Sequence, residues 1–254
     1  MRDRFAYLQH DGPIPFAHRG GASEAPENTL PAFEHAISLG YRYLETDVQI
    51  TADGVLVAFH DDDLERTTGT TARVSALPWS QVRTALVDGR EPIPLLEDLL
   101  GSFPNARINI DCKTDAAEEA LALTIERTAS IDRVCIGAFS AARLRRLRAR
   151  LGQNLCTSLG PSEVVRWLTA STTGPRSLMP AVPCAQVPTS QSGIPVVTER
   201  TVAVAHAHGV AVHVWTIDDE AEMRRLLDLG VDGIMTDRPA LLKEVLISRG
   251  QWSG

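Results

Sequence analysis

No stretch of the 254-residue sequence approaches the roughly 18 consecutive apolar residues that would span a bilayer. The opening Met-Arg-Asp-Arg-Phe-Ala-Tyr-Leu-Gln-His carries no apolar signal core, so a cytoplasmic location without stable membrane insertion is expected. An excess of positive charge is also missing. The net charge of -7 argues against nucleic acid or an anionic membrane as a general partner, since both need clustered Lys and Arg. Any phosphate the chain handles is therefore small and met locally. Cysteine is scarce: Cys112, Cys135, Cys156 and Cys184 are widely spaced, with no C-x-x-C pair to suggest zinc or redox chemistry. Each falls inside an apolar run, which reads as a small, buried, reduced thiol. Repeats and low-complexity segments are absent as well. What is present, 44% hydrophobic and 22% charged residues, belongs to an ordinary globular chain and excludes a disordered or fibrous one. The length matches one (β/α)8 barrel, so residues 1–254 are read as a single α/β domain.

From residue 14 onward, short β-branched runs alternate with helical patterns, the order that gives a parallel sheet with helices outside. The predicted strands are 14–18, 42–48, 106–112, 133–138, 154–158, 181–187, 210–215 and 232–236. The predicted helices are 28–39, 94–102, 116–129, 141–150, 161–170, 198–208, 218–228 and 239–248. Pro31, Ser140, Pro161 and Pro239 mark helix starts, while Gly40, Gly209 and Gly230 stand where a left-handed C-terminal residue is wanted. A doubly wound open sheet is the rival fold, but no G-x-G-x-x-G follows the first strand, and eight units close a barrel. Ala-Asp-Gly at 52–54, between two β-runs, predicts that strand two rises past the rim, reverses at Asp53-Gly54 and returns His60 towards Glu45 and Asp47. The polar segment 61–93, with a helical run at 79–86, reads as a lid or substrate wall.

Active sites of this architecture gather at the C-terminal ends of the strands. There the chain places His18-Arg19-Gly20, Glu45-Thr46-Asp47, Asp111-Cys112-Lys113 and Trp215. Glu45 and Asp47 are two apart on a strand and share a face, so their like charges call for a cation. Asp111 on the next strand supplies a third oxygen, and an all-carboxylate set favours Mg²⁺ or Ca²⁺ over zinc. His18 and His60 suit a general acid and base, since a phosphodiester needs one proton removed and another donated. Arg19 and Lys113 offer positive charge for a phosphate, and Trp215 completes the substrate-binding set. For Glu27 and Asn28 two readings stand: Asn28 caps the first helix, or Glu27 orients the site or its metal. His10, His35, His206, His208 and His213 lack such company and read as structural or surface residues.

Taken in order, His-Arg-Gly at 18–20, Glu-Asn-Thr at 27–29, Glu-x-Asp at 45–47 and His-Asp at 60–61 resemble the glycerophosphodiester phosphodiesterase family of phospholipase C-like TIM barrels. Val214-Trp215-Thr216 and the closing run from Gly230 to Pro239 extend the likeness over about residues 14–245. The resemblance implies His18 and His60 as the catalytic pair, Glu45 and Asp47 as metal ligands, and Arg19 and Lys113 as phosphate contacts. Asp111 departs from it, because the family usually has Glu-x-Lys on this strand. The implied reaction cuts a small-molecule glycerophosphodiester to glycerol 3-phosphate and an alcohol. Its nucleophile is either water or the glycerol's own neighbouring hydroxyl, and either histidine can be the acid. Two rivals remain: a lysophospholipase D-type enzyme, which an exposed apolar wedge at the rim would favour, and an inactive binding protein of the same fold.

Overall fold

The computed structural model describes residues 4–172 and 178–253. Eight parallel strands form the barrel: β1 (Ile14–Ala17), β2 (Tyr43–Ile50), β3 (Arg107–Cys112), β4 (Val134–Gly137), β5 (Cys156–Thr157), β6 (Cys184–Val187), β7 (Ala211–Val214) and β8 (Gly233–Thr236). Hydrogen-bonded neighbours run β5-β4-β3-β2-β1-β8-β7-β6. The β5/β6 seam is joined by a single parallel bridge, Ser158 to Cys184, and by the Leu159 N–H donating to the Cys184 carbonyl at 3.0 Å. The expected (β/α)8 barrel is what folds.

Eight helices cover the strands: α1 (Leu30–Ser38), α2 (Leu96–Ser102), α3 (Glu118–Arg127), α4 (Ala141–Leu151), α5 (Pro161–Thr172), α6 (Glu199–Ala207), α7 (Glu220–Asp228) and α8 (Pro239–Ser248). Their starts are fixed by local side chains. Thr29, Ser140, Thr198 and Asp219 each accept a first-turn N–H, so the otherwise orphaned donors are satisfied. The cap of α1 is thus Thr29; Asn28 sits at φ 56° and turns its amide elsewhere. Gly40, Gly209 and Gly230 adopt φ of 96°, 68° and 81°, the left-handed conformation that ends a helix. Among the described residues no helix is long and apolar enough to cross a membrane.

The outer layer packs as two apolar clusters. One joins Leu44, Ile108 and Ile136 to Phe33, Leu121 and Leu144 of α1, α3 and α4. The other joins Val212 and Ile234 to Trp167, Met223 and Leu242 of α5, α7 and α8. Each such side chain, fully buried, contributes roughly 1.5–3 kcal/mol. Inside the barrel, Phe16, Tyr43, Cys135, Cys156, Cys184 and Met235 pack with Tyr7 from the short turn Ala6–Leu8.

The hairpin forms as expected: β2 continues past its neighbours, and a return strand, Leu56–Ala58, pairs antiparallel with Val48 opposite Ala58 and Ile50 opposite Leu56. Segment 61–93 carries its own apolar centre, with Phe59, Leu64, Val74, Val82 and Ile93 buried together. The helical run expected at 79–86 stops after Trp79–Val82. Leu86–Val87 pairs instead with Glu91–Pro92, across Asp88 and Gly89 at φ 51° and 69°. At Asp53-Gly54, by contrast, only the glycine takes positive φ.

Candidate active site

The chain leaves β1 through a tight turn, His18–Gly20, in which Arg19 and Gly20 both take positive φ. A Cβ on Gly20 would stand 2.7 Å from the Ala32 Cβ and 2.8 Å from its carbonyl carbon, so only glycine lets this turn lie against α1. The turn points His18 across the mouth. Its Nδ1 lies 2.6 Å from Asp237 Oδ1, and its Nε2 lies 3.7 Å from Glu45 Oε2. An ionised aspartate only accepts, so Nδ1 carries the proton and Nε2 faces the mouth. Burial pushes the His18 pKa down, but the Glu45 carboxylate and the Asp237 hydrogen bond outweigh it, and the net shift is upward. His60, delivered by the return strand, repeats the arrangement: Nδ1 donates to Asp61 Oδ1 at 2.5 Å. The other Asp61 oxygen accepts from Arg66 Nε at 2.6 Å.

Glu45 and Asp47 project into the mouth from alternate positions of β2, only 4% and 2% exposed. Burial first, and then the Asp47 charge, push Glu45 up to about 7. Asp47 moves the other way: its burial is outweighed by the Lys113 and Arg19 charges, which hold it below the usual carboxylate range. The Lys113 ammonium lies 2.7 Å from Asp47 Oδ1 and 2.6 Å from Asp111 Oδ2, bridging two acids that stand side by side on β2 and β3. Desolvation would lower the Lys113 pKa, but these two carboxylates raise it. Glu45 accepts the Arg19 backbone N–H at 3.1 Å. The Arg19 side chain reaches Glu27 at 3.0 Å and Asp47 at 3.2 Å.

All the residues expected from sequence thus stand at one rim. Trp215 is there too, its ring edge-on to Phe139 with centroids 5.9 Å apart. The remaining histidines stand apart: His35 pairs with Glu24, His206 with Asp232, and His213 packs inside the barrel against Phe16. Several contributors carried no part in the site in the sequence reading. Asn28 donates to Asp47 at 3.2 Å and accepts from Thr46 at 2.8 Å, which places it behind the carboxylates. Arg66 binds both oxygens of Glu27, at 2.6 and 2.8 Å, and so orients the acid that steadies Arg19. Asp237 and Asp61 fix the two histidines. Their signals, Asp-Arg-Pro at 237–239 and His-Asp at 60–61, were visible only as motif members. Phe139, 71% exposed beside Trp215, had no signal at all.

The model of the glycerophosphoryl diester phosphodiesterase family matches residues 18–241. The chain belongs to that family. It is 44% identical over 253 residues to the probable glycerophosphodiester phosphodiesterase 2 of Mycobacterium tuberculosis, covering 98% of this chain and 96% of that one. A human lysophospholipase D is 30% identical over 267 residues, covering 91% and 85%. A solved phosphodiesterase of Oleispira antarctica, in complex with the product sn-glycerol-3-phosphate, shares the fold: the TM-score is 0.77 at 23% identity, over 93% of this chain and 97% of that one.

Proposed function

We propose that this chain hydrolyses glycerophosphodiesters to glycerol 3-phosphate and a free alcohol, with His18 and His60 as general acid and base. The observation that carries the reading is the pair of histidines, each pinned at Nδ1 by an aspartate, on either side of two buried carboxylates. One Nε2 takes the proton of the attacking hydroxyl; the other gives a proton to the departing alkoxide. The nucleophile is either water or the glycerol hydroxyl next to the phosphoester. Arg19 and Lys113 are the cations within reach of a phosphate, and each must exchange a carboxylate partner for a phosphate oxygen. Trp215 and Phe139 wall the side towards the alcohol.

A divalent cation fits the donor set. Glu45 and Asp47, both buried on one face of β2, offer carboxylate oxygens of the kind a hard cation takes. Glu45 and Asp47, with Asp111, would hold Mg²⁺ or Ca²⁺, which when bound polarises the phosphodiester. Asp111 is engaged by Lys113, so its part in the site depends on where that ammonium goes when phosphate arrives.

Lysophospholipase D activity is a second reading of the same chemistry. It is favoured by Phe139, a large apolar side chain standing free at the rim beside Trp215. A panel of glycerophosphodiesters and lysophospholipids, incubated with purified protein with and without chelator, separates the two. Release of glycerol phosphate from the water-soluble diesters is expected, abolished by chelator and restored by Mg²⁺ or Ca²⁺. Turnover of lysophospholipids alone selects the second reading, and full activity in excess chelator removes the metal from the proposal.

A further inference from the structure

Inside the barrel, three neighbouring strands bring their cysteines together. Cys135 on β4 stands in register with Asn109, two residues before Asp111; Cys156 opens β5 and Cys184 opens β6. All three are reduced and sealed from solvent, at 0%, 1% and 0% exposure. Their sulfurs lie within 4.8 Å of one another, and they are the group of metal-type donors that converges so closely among the described residues. We propose that Cys135, Cys156 and Cys184 form a second, thiolate metal site for Zn²⁺, separate from the oxygen-rich mouth.

The distances suit the ion. Two thiolates on a tetrahedral Zn²⁺, each at about 2.3 Å, stand roughly 3.8 Å apart; Cys135 Sγ and Cys184 Sγ are 3.8 Å apart. The donor type also suits it, because sulfur selects Zn²⁺ and discriminates against the Mg²⁺ or Ca²⁺ proposed for the mouth. A fourth group is at hand. The Tyr7 hydroxyl is buried, makes no hydrogen bond among the described residues, and lies in the electrostatic field of all three thiols. A buried phenol without a partner costs on the order of 1–3 kcal/mol, which a cation among the sulfurs would offset. The Gln186 amide reaches Cys135 Sγ at 3.9 Å and Asn109 Oδ1 at 2.7 Å, linking the thiols to the residue in register with Glu45. Binding replaces three S–H protons by one cation, so three protons leave as one Zn²⁺ enters. The turn Ala6–Leu8 packs under the cluster, so the ion enters before the barrel closes.

The test begins with protein produced in zinc-replete medium and passed through a chelator that strips oxygen-ligated ions. Metal analysis is expected to find about one Zn²⁺ per chain in the parent and none in Cys135→Ala/Cys184→Ala. X-ray absorption of the parent is expected to show sulfur neighbours at about 2.3 Å, a readout that needs no variant to fold. Phosphodiester turnover with added Mg²⁺ should persist in the double variant, so this outcome is independent of the function proposed above. A parent without Zn²⁺, equal Zn²⁺ in the double variant, or a first shell of oxygen and nitrogen alone overturns the proposal and leaves the thiols as apolar filling.

Discussion

A histidine whose Nδ1 is held by an aspartate has its tautomer chosen and its ring aimed before substrate arrives. Asp237 does this for His18 and Asp61 for His60. His18→Ala and His60→Ala are each expected to lower kcat by at least about a hundredfold, with thermal unfolding close to that of the parent. Steady-state kinetics beside a melting curve check this, and near-parent turnover in either variant removes that histidine from the mechanism. At this scale the sequence was informative where chemistry is local. Glu45 and Asp47 share a face because a strand alternates every residue, and His18-Arg19-Gly20 is contiguous. It was silent where partners are remote: Asp237 is 219 positions from His18, and nothing in its neighbourhood names that histidine. Asn28 shows a different failure. Both Asn28 and Thr29 are good caps, and the choice of Thr29 follows from Asp47, whose carboxylate draws the Asn28 amide into the site.

Elements were legible to within about three residues at each end because each carries its own punctuation. Eight strands and eight helices follow from β-branched runs, capping hydroxyls and terminal glycines. The excursion at 61–93 was the exception. Its Asp88-Gly89 reversal lies between Leu86-Val87 and Glu91-Pro92, runs of two residues that are too short to show alternation. The β1-α1 turn is the element on which the site most depends, since it carries both His18 and Arg19. Gly20→Ala adds a Cβ at positive φ that meets Ala32 at 2.7–2.8 Å, and part of that obstruction is backbone. We expect a loss of roughly 1–3 kcal/mol together with a fall in activity, because relief requires the turn to lift away from α1 and carry His18 with it. Chemical denaturation and kinetics on the same preparation measure both. Parent-like stability and turnover would show that the turn accommodates a methyl group.

Across the whole molecule, the buried charges make stability depend on pH in a defined sense. Without a cation, Glu45 is held up to about 7 by burial and by Asp47, above its ordinary 4.5. The folded state then binds this proton more tightly than the unfolded state, so stability falls as pH rises from about 4.5 through 7, by a few kcal/mol in all. His18 acts with the same sign. Its net upward shift, achieved against burial, contributes stability that is complete below 6.5 and is lost as pH rises through the raised value. Asp47 acts oppositely and at lower pH: its contribution is present above 3.8 and is lost as pH falls through its lowered value. Melting curves in chelator are therefore expected to fall between about pH 5 and 8. Glu45→Gln should flatten the decline, and saturating Mg²⁺ or Ca²⁺ should raise the parent's Tm at the alkaline end. A Tm that climbs across this range would contradict the assignment.

The barrel is also not equally fastened all the way round. Where β2 meets β3 six residues are in register, whereas β5 and β6 are joined through Ser158, Cys184 and the Leu159 amide. The two outer clusters part along the same line, one reaching Leu155 before it and the other starting at Leu159 after it. The molecule is thus built like a clasped cuff, and in metal-free protein thermal fluctuation is expected to open it first at the clasp. In native-state hydrogen exchange the Leu159 amide is expected to trade its proton by local opening well before Ile110 or Leu44. Such opening parts the strand that carries Gln186 from those that carry Asp111 and Gly137, which makes the clasp the side on which the mouth can widen for a larger alcohol.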